Sequence, residues 1–410
     1  SSNAMALSRD GAMIASAGPQ SSIRVLRTAT AAGLQQFSQD ADIAALACHP
    51  DEPLVAAADD KHNVRVWNVD TRRETAQTTL FGTRNLRFLS NGALAVNATE
   101  AVFTLAPDGA AVQRSPRYPA ETVLHDRHVA VRTRDGTILV GPPDDGTPLQ
   151  LDEPNAVALA FNENGRLLAT VGTADTGGLL RVWDAATGDA LWEAPLPSAY
   201  GARPAVDAAG SHAAYVHGRT LVYLDRTSGS SQTRAFDSSP RGLSFVLGSS
   251  RLAVLQSDAL ALFDANDLQA EPLRLQLDVE VIAVAFNRAR DKAAITTGRE
   301  ITVWDLATGT RLAALGTAAF TPRLCFLAGD DALALGDHAN RITVRPWRTS
   351  ALVNAACNHL SRNLTRREWE LYLPGVPYAA TCPDLTPLTR EALVADMFAE
   401  DAADAPSPPP

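Results

Sequence analysis

The chain has 410 residues, of which 46% are hydrophobic and 20% are charged, and its net charge at neutral pH is −10. This acidic balance, with basic pairs only at isolated places such as Arg72-Arg73, argues against binding to nucleic acid or to an anionic membrane surface. The sequence shows neither a secretory leader nor an apolar run of about 18 residues, and its four cysteines do not cluster, so we predict a cytoplasmic protein in a reducing compartment.

The chain begins with Ser-Ser-Asn-Ala, residues 1–4, which we interpret as an expression scar. The natural start is then Met5 or a position further upstream. From here a simple order of elements recurs: a turn, a strand of small residues, a second turn and an alternating strand. The first copy ends in Ile23-Arg24-Val25-Leu26. Strands of this length joined by tight turns predict an all-β fold.

The clearest repeat is residues 180–188, Leu-Arg-Val-Trp-Asp-Ala-Ala-Thr-Gly, which recurs at 301–309 and, more weakly, at 64–71. The tryptophans of these copies, Trp67, Trp183 and Trp304, are separated by nearly three periods of roughly 40 residues, the length of a propeller blade. We count nine such units. They predict a β-propeller over residues 5–347 with seven to nine blades.

Each unit is a small antiparallel sheet that cannot bury its own faces, so units pack side by side around an axis. We expect Trp67, Trp183 and Trp304 to pack between neighbouring blades, because they recur at the repeat period. Asp184 and Asp305, each followed by Thr-Gly, are expected to bind the backbone amides of their own turns.

The pattern changes after Trp347. Residues 350–360 have a helical period, and Thr365-Arg366-Arg367-Glu368 forms a capping box before a second helix that contains Trp369. A third helix is predicted at 387–399. We therefore predict a helical module over residues 348–400 and a disordered acidic, proline-rich tail over residues 401–410.

Known catalytic motifs are missing from the sequence. It contains no phosphate-binding loop, no His-Glu-x-x-His pair, no Cys-x-x-Cys pair and no Gly-x-Ser-x-Gly elbow. His125 and His128 have the spacing of a metal pair on a helix, but strand patterns flank them, and in a strand they would face opposite sides. We therefore predict no metal site, no cofactor and no enzymatic activity.

The Trp-Asp repeats resemble those of the WD-repeat β-propeller family over residues 5–347. Both residues of the Trp-Asp motif are present in Trp183-Asp184 and Trp304-Asp305, whereas the Gly-His dipeptide that opens each repeat of the family is absent. The C-terminal segment is similar to the terminal module of large bacterial WD-repeat proteins, in Ala356-Cys357, Arg362-Asn363-Leu364-Thr365, Glu368-Trp369, Tyr372-Leu373-Pro374-Gly375 and Thr381-Cys382-Pro383. In those proteins a STAND-type switch or an effector domain precedes the propeller.

The resemblance also bears on Cys357 and Cys382, which flank the predicted helical pair. The pattern alone favours two buried free thiols, because cytosolic disulfides are uncommon. The resembling module keeps both cysteines, and this implies a disulfide clamp as an equal alternative.

Together with the resemblance to the WD-repeat family, these features predict a non-enzymatic scaffold or sensor module of a bacterial signalling protein. We expect it to bind a protein or peptide and to be monomeric as an isolated domain. The alternative is a propeller enzyme, a hydrolase or lyase, with its site in the central funnel. The innermost strands argue against it, because they consist mostly of Ala, Val, Leu and Thr.

Overall fold

The computed structural model describes most of the chain between residues 35 and 385. The described residues are 4–7, 13–18 and 22–27 (backbone only), 35–89, 91–106, 109–115, 119–142, 147–153, 155–175, 177–246, 251–277, 279–298, 300–317, 320–357, 362–364, 366–380, 382 and 385. The chain divides into two compact units, Gln36–Trp347 and a second one that combines Ser1–Gln35 with Arg348–Pro410.

Short strands make up nearly all of the regular structure. In chain order they are β1 Ala4–Leu7, β2 Met13–Gly18, β3 Ser22–Arg27, β4 Gln35–Ser38, β5 Ile43–Cys48, β6 Leu54–Asp59, β7 Asn63–Asn68, β8 Arg73–Thr79, β9 Asn85–Phe88, β10 Leu94–Asn97, β11 Val102–Leu105, β12 Ala111–Gln113, β13 Glu121–Leu124, β14 Val129–Arg132, β15 Ile138–Gly141, β16 Leu149–Leu151, β17 Ala156–Phe161, β18 Leu167–Ala174, β19 Gly177–Asp184, β20 Ala190–Leu196, β21 Arg203–Val206, β22 His212–His217, β23 Thr220–Asp225, β24 Ser231–Ala235, β25 Gly242–Phe245, β26 Arg251–Leu255, β27 Ala259–Asp264, β28 Leu273–Gln276, β29 Ala283–Phe286, β30 Lys292–Thr296, β31 Glu300–Asp305, β32 Arg311–Gly316, β33 Arg323–Phe326, β34 Ala332–Gly336 and β35 Arg341–Pro346. A short 3-10 helix, Ala328–Asp330, lies between β33 and β34.

Eight antiparallel four-stranded sheets form the blades of the larger unit. Seven of them are built from four consecutive strands, beginning with β5–β8 as blade 1 and ending with β29–β32 as blade 7. Blade 8 combines β33, β34 and β35 with β4, so the first strand of this unit completes its last sheet. The prediction of an all-β propeller with seven to nine blades is confirmed, and the number is eight.

The first of the nine units counted in the sequence is not a blade of this ring. Its strands β1, β2 and β3 pair with each other in a three-stranded antiparallel sheet. That sheet belongs to the smaller unit. A repeat-like sequence thus precedes the strand that closes the ring.

The core of the propeller lies between blades. Strand β6 is almost wholly buried, and its small side chains let the neighbouring sheets approach closely. One apolar cluster, for example, joins Ala56 and Val64 of blade 1 to Leu86 and Val96 of blade 2. Outer strands such as β12 and β24 are exposed, so each blade is apolar near the axis and polar at the rim.

Because the first strand of each blade packs beside the first strand of the next, these strands line the central channel. At the seam of the ring, β5 of blade 1 lies beside β33 of blade 8. Cys48 of β5 and Cys325 of β33 form a disulfide there. The other two cysteines are also paired, and disulfides weigh against the reducing compartment that was inferred from four unclustered cysteines.

The smaller unit contains two described helices, α1 Thr349–Cys357 and α2 Arg366–Tyr372. The predicted third helix at 387–399 and the tail at 401–410 lie outside the described residues. Within the described part of the chain, no helix is long and apolar enough to cross a membrane.

Candidate functional site

The propeller presents two different loop faces. Because strands alternate in direction within a blade, the loops that link one blade to the next lie on the same face as the turns between second and third strands. We call this the interblade face. The turns between first and second strands and between third and fourth strands form the opposite face, which we call the hairpin face.

The three repeat tryptophans lie on third strands, and each packs against the preceding blade. Trp67 lies in a cluster shared by blades 8 and 1, with its ring centroid 5.6 Å from that of Phe37 on β4. Trp183 is buried between blades 3 and 4 and donates a hydrogen bond to Thr170 Oγ1 at 3.0 Å. Trp304 is half-buried against the cluster of blades 6 and 7.

Asp184 and Asp305 hold the turns that follow those strands on the hairpin face. Asp184 Oδ1 accepts hydrogen bonds from the amides of Ala186 and Thr187 at 3.0 and 3.3 Å. Asp305 Oδ1 accepts the amides of Ala307 and Thr308 at 3.0 and 2.8 Å. The bond from the Thr308 amide is the largest cause of the lowered pKa of Asp305. Both carboxylates therefore stabilise the backbone of the turns in which they lie.

The remaining predicted residues stabilise the C-terminal segment of the smaller unit. Cys357 at the end of α1 forms a disulfide with Cys382, with Cα atoms 5.5 Å apart. Trp369 of α2 is buried and donates a hydrogen bond to the Val376 carbonyl at 2.8 Å. Asn363 binds the backbone of Cys382 on both sides, accepting from its amide at 2.8 Å and donating to its carbonyl at 2.7 Å.

Large apolar side chains are exposed on the interblade face. Phe81 is 61% exposed, Tyr200 75% and Phe320 42%, and each lies in a loop between two blades. Val279 and Ile282 lie in another such loop. Exposed aromatic side chains on one face are common at protein-binding surfaces.

Two of these aromatic rings contact histidines on the same face. The rings of Phe81 and His62 in blade 1 have centroids 4.3 Å apart, and those of Phe320 and His338 in blade 8 are 5.3 Å apart and nearly parallel. His62 Nδ1 also accepts a hydrogen bond from the Gly82 amide at 3.2 Å, which fixes the loop that carries Phe81. The exposed rings are therefore held in place before any partner binds.

The hairpin-face end of the central channel carries a different group of residues, which are charged. They are Arg87 on the innermost strand β9, Asp126 after β13, Glu163 after β17 and Arg290 after β29. Each influences the ionisation of at least one other member, across blades 2, 3, 4 and 7. We call these four residues the channel cluster.

Burial dominates the electrostatics of the channel cluster. It lowers the pKa of Arg87 and of Arg290, because a guanidinium loses hydration inside the channel. Burial also raises the pKa of Glu163 to about 7, although the positive charge of Arg290 opposes that rise. Glu163 is therefore partly protonated at neutral pH.

His125 and His128 lie in the turn between β13 and β14, and the expectation that they face opposite sides is wrong. Both bind the equivalent turn of blade 4: His125 Nε2 lies 3.1 Å from the Glu163 carbonyl, and His128 Nδ1 lies 2.8 Å from the Gly165 carbonyl. Both rings also contact Phe161. In the described part of the chain, no group of three or more His, Cys, Asp or Glu residues has the arrangement of a metal site.

A cavity of about 360 Å³ opens between blades 5 and 6. Arg234 lies in its wall, but its guanidinium already donates to the carbonyls of Leu268 and Ala270 at 2.8 and 3.0 Å and lies over the Phe263 ring. This arginine links the two blades.

Sequence reasoning missed the channel cluster. One signal was present in Leu86-Arg87-Phe88, where an arginine interrupts an innermost strand whose flanking residues are apolar. Arg87 must therefore point away from the core that Leu86 and Phe88 enter. The other three members lie in turns, where charged residues are ordinary.

Comparison with known proteins agrees with this architecture. The family model "WD domain, G-beta repeat" matches residues 34–68, which include β4 and most of blade 1. A search of curated proteins gives no match.

Among solved structures, Saccharomyces cerevisiae Sqt1 is similar with a TM-score of 0.58 and 15% identity, over 77% of this chain and 98% of that one. The computationally designed protein Ika8 is similar with a TM-score of 0.57 and 18% identity, over 75% of this chain and 97% of that one. At these identities the likeness concerns the fold. The chain is an all-β, eight-bladed propeller of the WD-repeat type.

Proposed function

We propose that this chain is a non-enzymatic scaffold or sensor module that binds a protein or peptide partner through its interblade face. The observation that carries the proposal is the exposure of Phe81, Tyr200 and Phe320 on that one face. Aromatic side chains supply much of the binding energy at protein interfaces, because they bury a large area when a partner covers them. WD-repeat-type propellers typically serve as such scaffolds, which supports the same conclusion.

The resemblance of the C-terminal segment supports the further proposal that the scaffold belongs to a bacterial signalling protein. There a partner that binds the ring reports to a switch or effector domain of the same protein. As an isolated domain the chain is a monomer, and it needs no cofactor. The predicted cytoplasmic location stays a prediction, and the two disulfides weigh against it, since such bonds persist mainly in oxidising compartments.

The test is capture of partners from a lysate of the source organism, with the full chain as bait and mass spectrometry as readout. A double variant, Phe81→Ser with Phe320→Ser, removes two of the exposed rings from the interblade face. The matched control, Val112→Ser with Leu312→Ser, removes exposed apolar side chains from outermost strands. A stoichiometric partner lost only with the first pair supports the proposal. Equal capture by both double variants would exclude Phe81 and Phe320 as binding residues and would contradict the proposal.

The second candidate is a propeller enzyme, a hydrolase or lyase, with its site in the channel. The observation in its favour is Glu163, a carboxyl group whose pKa of about 7 suits general acid–base catalysis and which interacts with Arg290. Turnover of an ester, glycoside or uronate substrate that disappears in Glu163→Gln supports the enzyme. Unchanged turnover in that variant excludes Glu163 as the catalytic group.

A further inference from the structure

The Cys48–Cys325 disulfide lies in the wall of the central channel. Cys48 is the last residue of β5 and Cys325 belongs to β33, and these are the innermost strands of blades 1 and 8. Both cysteines are half-buried: they pack against the apolar cluster that joins the two blades, and part of each residue stays open to solvent. A disulfide in this position is within reach of a small thiol that enters the channel.

Blade 8 differs from the other blades in how its strands are connected. Blades 1–7 are each built from four consecutive strands, whereas the outermost strand of blade 8, β4, comes from the beginning of the unit. Strand pairing with β35 holds β4 in that sheet. The Cys48–Cys325 bond spans 277 residues and links the two ends of the unit covalently. The chain's other disulfide lies in the smaller unit.

The short connection between β4 and β5 makes the disulfide a restraint on β4. Only residues 39–42 separate these two strands, so blade 1 cannot move far from blade 8 without drawing β4 off β35. While the disulfide is intact, the innermost strands of blades 1 and 8 stay together and β4 stays in place. Cleavage of the disulfide therefore removes the covalent restraint on the closing strand.

Noncovalent contacts hold the seam together after such a cleavage. The Gln39 amide donates a hydrogen bond to the Asn340 carbonyl at 2.8 Å, and Arg323 Nε donates one to the Ala44 carbonyl at 2.8 Å. The buried Trp67 lies in the apolar cluster of the same two blades. Reduction is therefore expected to make the seam open more often, without unfolding the whole ring.

We propose that Cys48 and Cys325 form a reversible redox site, at which a dithiol reductant cleaves the disulfide and releases the closing strand β4 from blade 8. A thiolate of the reductant attacks one sulfur, the S–S bond breaks, and the other cysteine leaves as a thiolate that takes up a proton. The reductant's second thiolate then displaces the first cysteine and forms the reductant's own disulfide, so two electrons pass to the protein. A low-molecular-weight disulfide reverses the reaction by the same exchange.

The reduced form is expected to differ from the oxidised form at the seam. When β4 leaves, the backbone groups at the edge of β35 lose their partners, and Trp67 loses its contact with the Phe37 ring. Blade 5 gives the comparison, because its outermost strand β24 follows β23 directly through residues 226–230. Redox state thereby controls the closure of the ring, whether or not a partner binds the interblade face.

Hydrogen–deuterium exchange of the full chain, read by mass spectrometry, tests the site. Dithiothreitol is the reducing probe and glutathione disulfide the reoxidising one, and alkylation with peptide mapping measures the state of each cysteine. We expect the amides of β4 and β35 to exchange about tenfold faster or more after reduction, because a disulfide that closes a long loop stabilises the closed form by at least that factor. Exchange in β23 and β24 should stay unchanged, and reoxidation should restore the original rates.

Two double variants assign the effect to the seam. Cys48→Ser with Cys325→Ser should exchange rapidly at β4 and β35 with and without dithiothreitol. Cys357→Ser with Cys382→Ser removes the disulfide of the smaller unit and should keep the full response to dithiothreitol. If either variant fails to fold, the response of the unmodified chain decides. A seam disulfide that dithiothreitol does not cleave in the folded chain, unchanged exchange at β4 and β35 after cleavage, or an equal rise of exchange in all blades each overturns the proposal.

Discussion

Cys48 and Cys325 are 277 residues apart in sequence, yet their Cα atoms lie 5.8 Å apart and a disulfide joins them across the seam of the ring. The first strand of blade 1 is thereby linked to the first strand of blade 8. The same seam is also closed by β4, which completes blade 8 from the other end of the unit. The ring is therefore closed twice, once by hydrogen bonds and once by a covalent bond.

Cys325→Ser is expected to destabilise the propeller by about 2–5 kcal/mol, because the disulfide limits the unfolded chain over a very long loop. Urea denaturation, followed by tryptophan fluorescence, measures the change. Cys382→Ser is the control, because it opens the disulfide of the smaller unit and leaves the seam intact. Equal unfolding midpoints for Cys325→Ser and the unmodified chain would show that β4 alone closes the ring.

Trp67→Ala is expected to destabilise the propeller by about 3–5 kcal/mol. Trp67 is buried at the same seam, where it contacts Phe37 of the closing strand, and its removal leaves a cavity between blades 8 and 1. Tyr200→Ala removes an aromatic side chain of similar size that is 75% exposed, and it should leave the stability nearly unchanged. Chemical denaturation compares the two. A loss below about 1 kcal/mol for Trp67→Ala contradicts the packing role.

The repeat period predicted the propeller because each blade must bury both of its faces against its neighbours. The apolar residues that do so recur in every repeat and are visible in the sequence. The number of blades was harder to predict. The closing strand β4 reads only Gln-Gln-Phe-Ser, and the segment before it has the same strand-and-turn pattern as a blade. Local sequence therefore does not distinguish a ring that includes residues 4–27 from one that excludes them.

The channel cluster depends on that number. Arg87, Glu163 and Arg290 come from blades 2, 4 and 7, and which blades face each other across the axis is set by how many blades close the ring. The pairing of Cys48 with Cys325 has the same origin, because it requires the first and last blades to be neighbours. These arrangements arise only when the ring of blades closes, so no local sequence pattern predicts them.

Arg181→Met is expected to cost about 3–5 kcal/mol of folding free energy, since it leaves a buried carboxylate unpaired. Glu153 is 3% exposed, and its Oε2 accepts a hydrogen bond from Arg181 Nη1 at 2.7 Å. Adding Glu153→Gln to Arg181→Met should recover part of the loss, because the charge is then removed. The exposed pair of Arg166 with Asp184 offers the control: Arg166→Met should cost about 1 kcal/mol or less. If the two arginine variants unfold at the same urea concentration, the buried pair contributes no more than the exposed one.

Glu163 should make the stability of the chain depend on pH. Burial raises its pKa from 4.5 to about 7 in the folded chain, so the folded state holds a proton that the unfolded state releases. Ionisation of the folded state therefore costs free energy, and the contribution of this group to stability falls as the pH rises from about 4.5 to about 7. Glu163→Gln removes this dependence, because a glutamine stays neutral.

The measurement is the urea midpoint between about pH 5 and pH 8 in a buffer free of multivalent anions. Relative to Glu163→Gln, the unmodified chain should lose stability steadily up to about pH 7 and then run parallel to the variant. Glu271→Gln, at an exposed position, should follow the unmodified chain throughout. Parallel profiles for Glu163→Gln and the unmodified chain over the whole range would show that Glu163 ionises at its ordinary pKa. The channel would then hold a carboxylate at neutral pH.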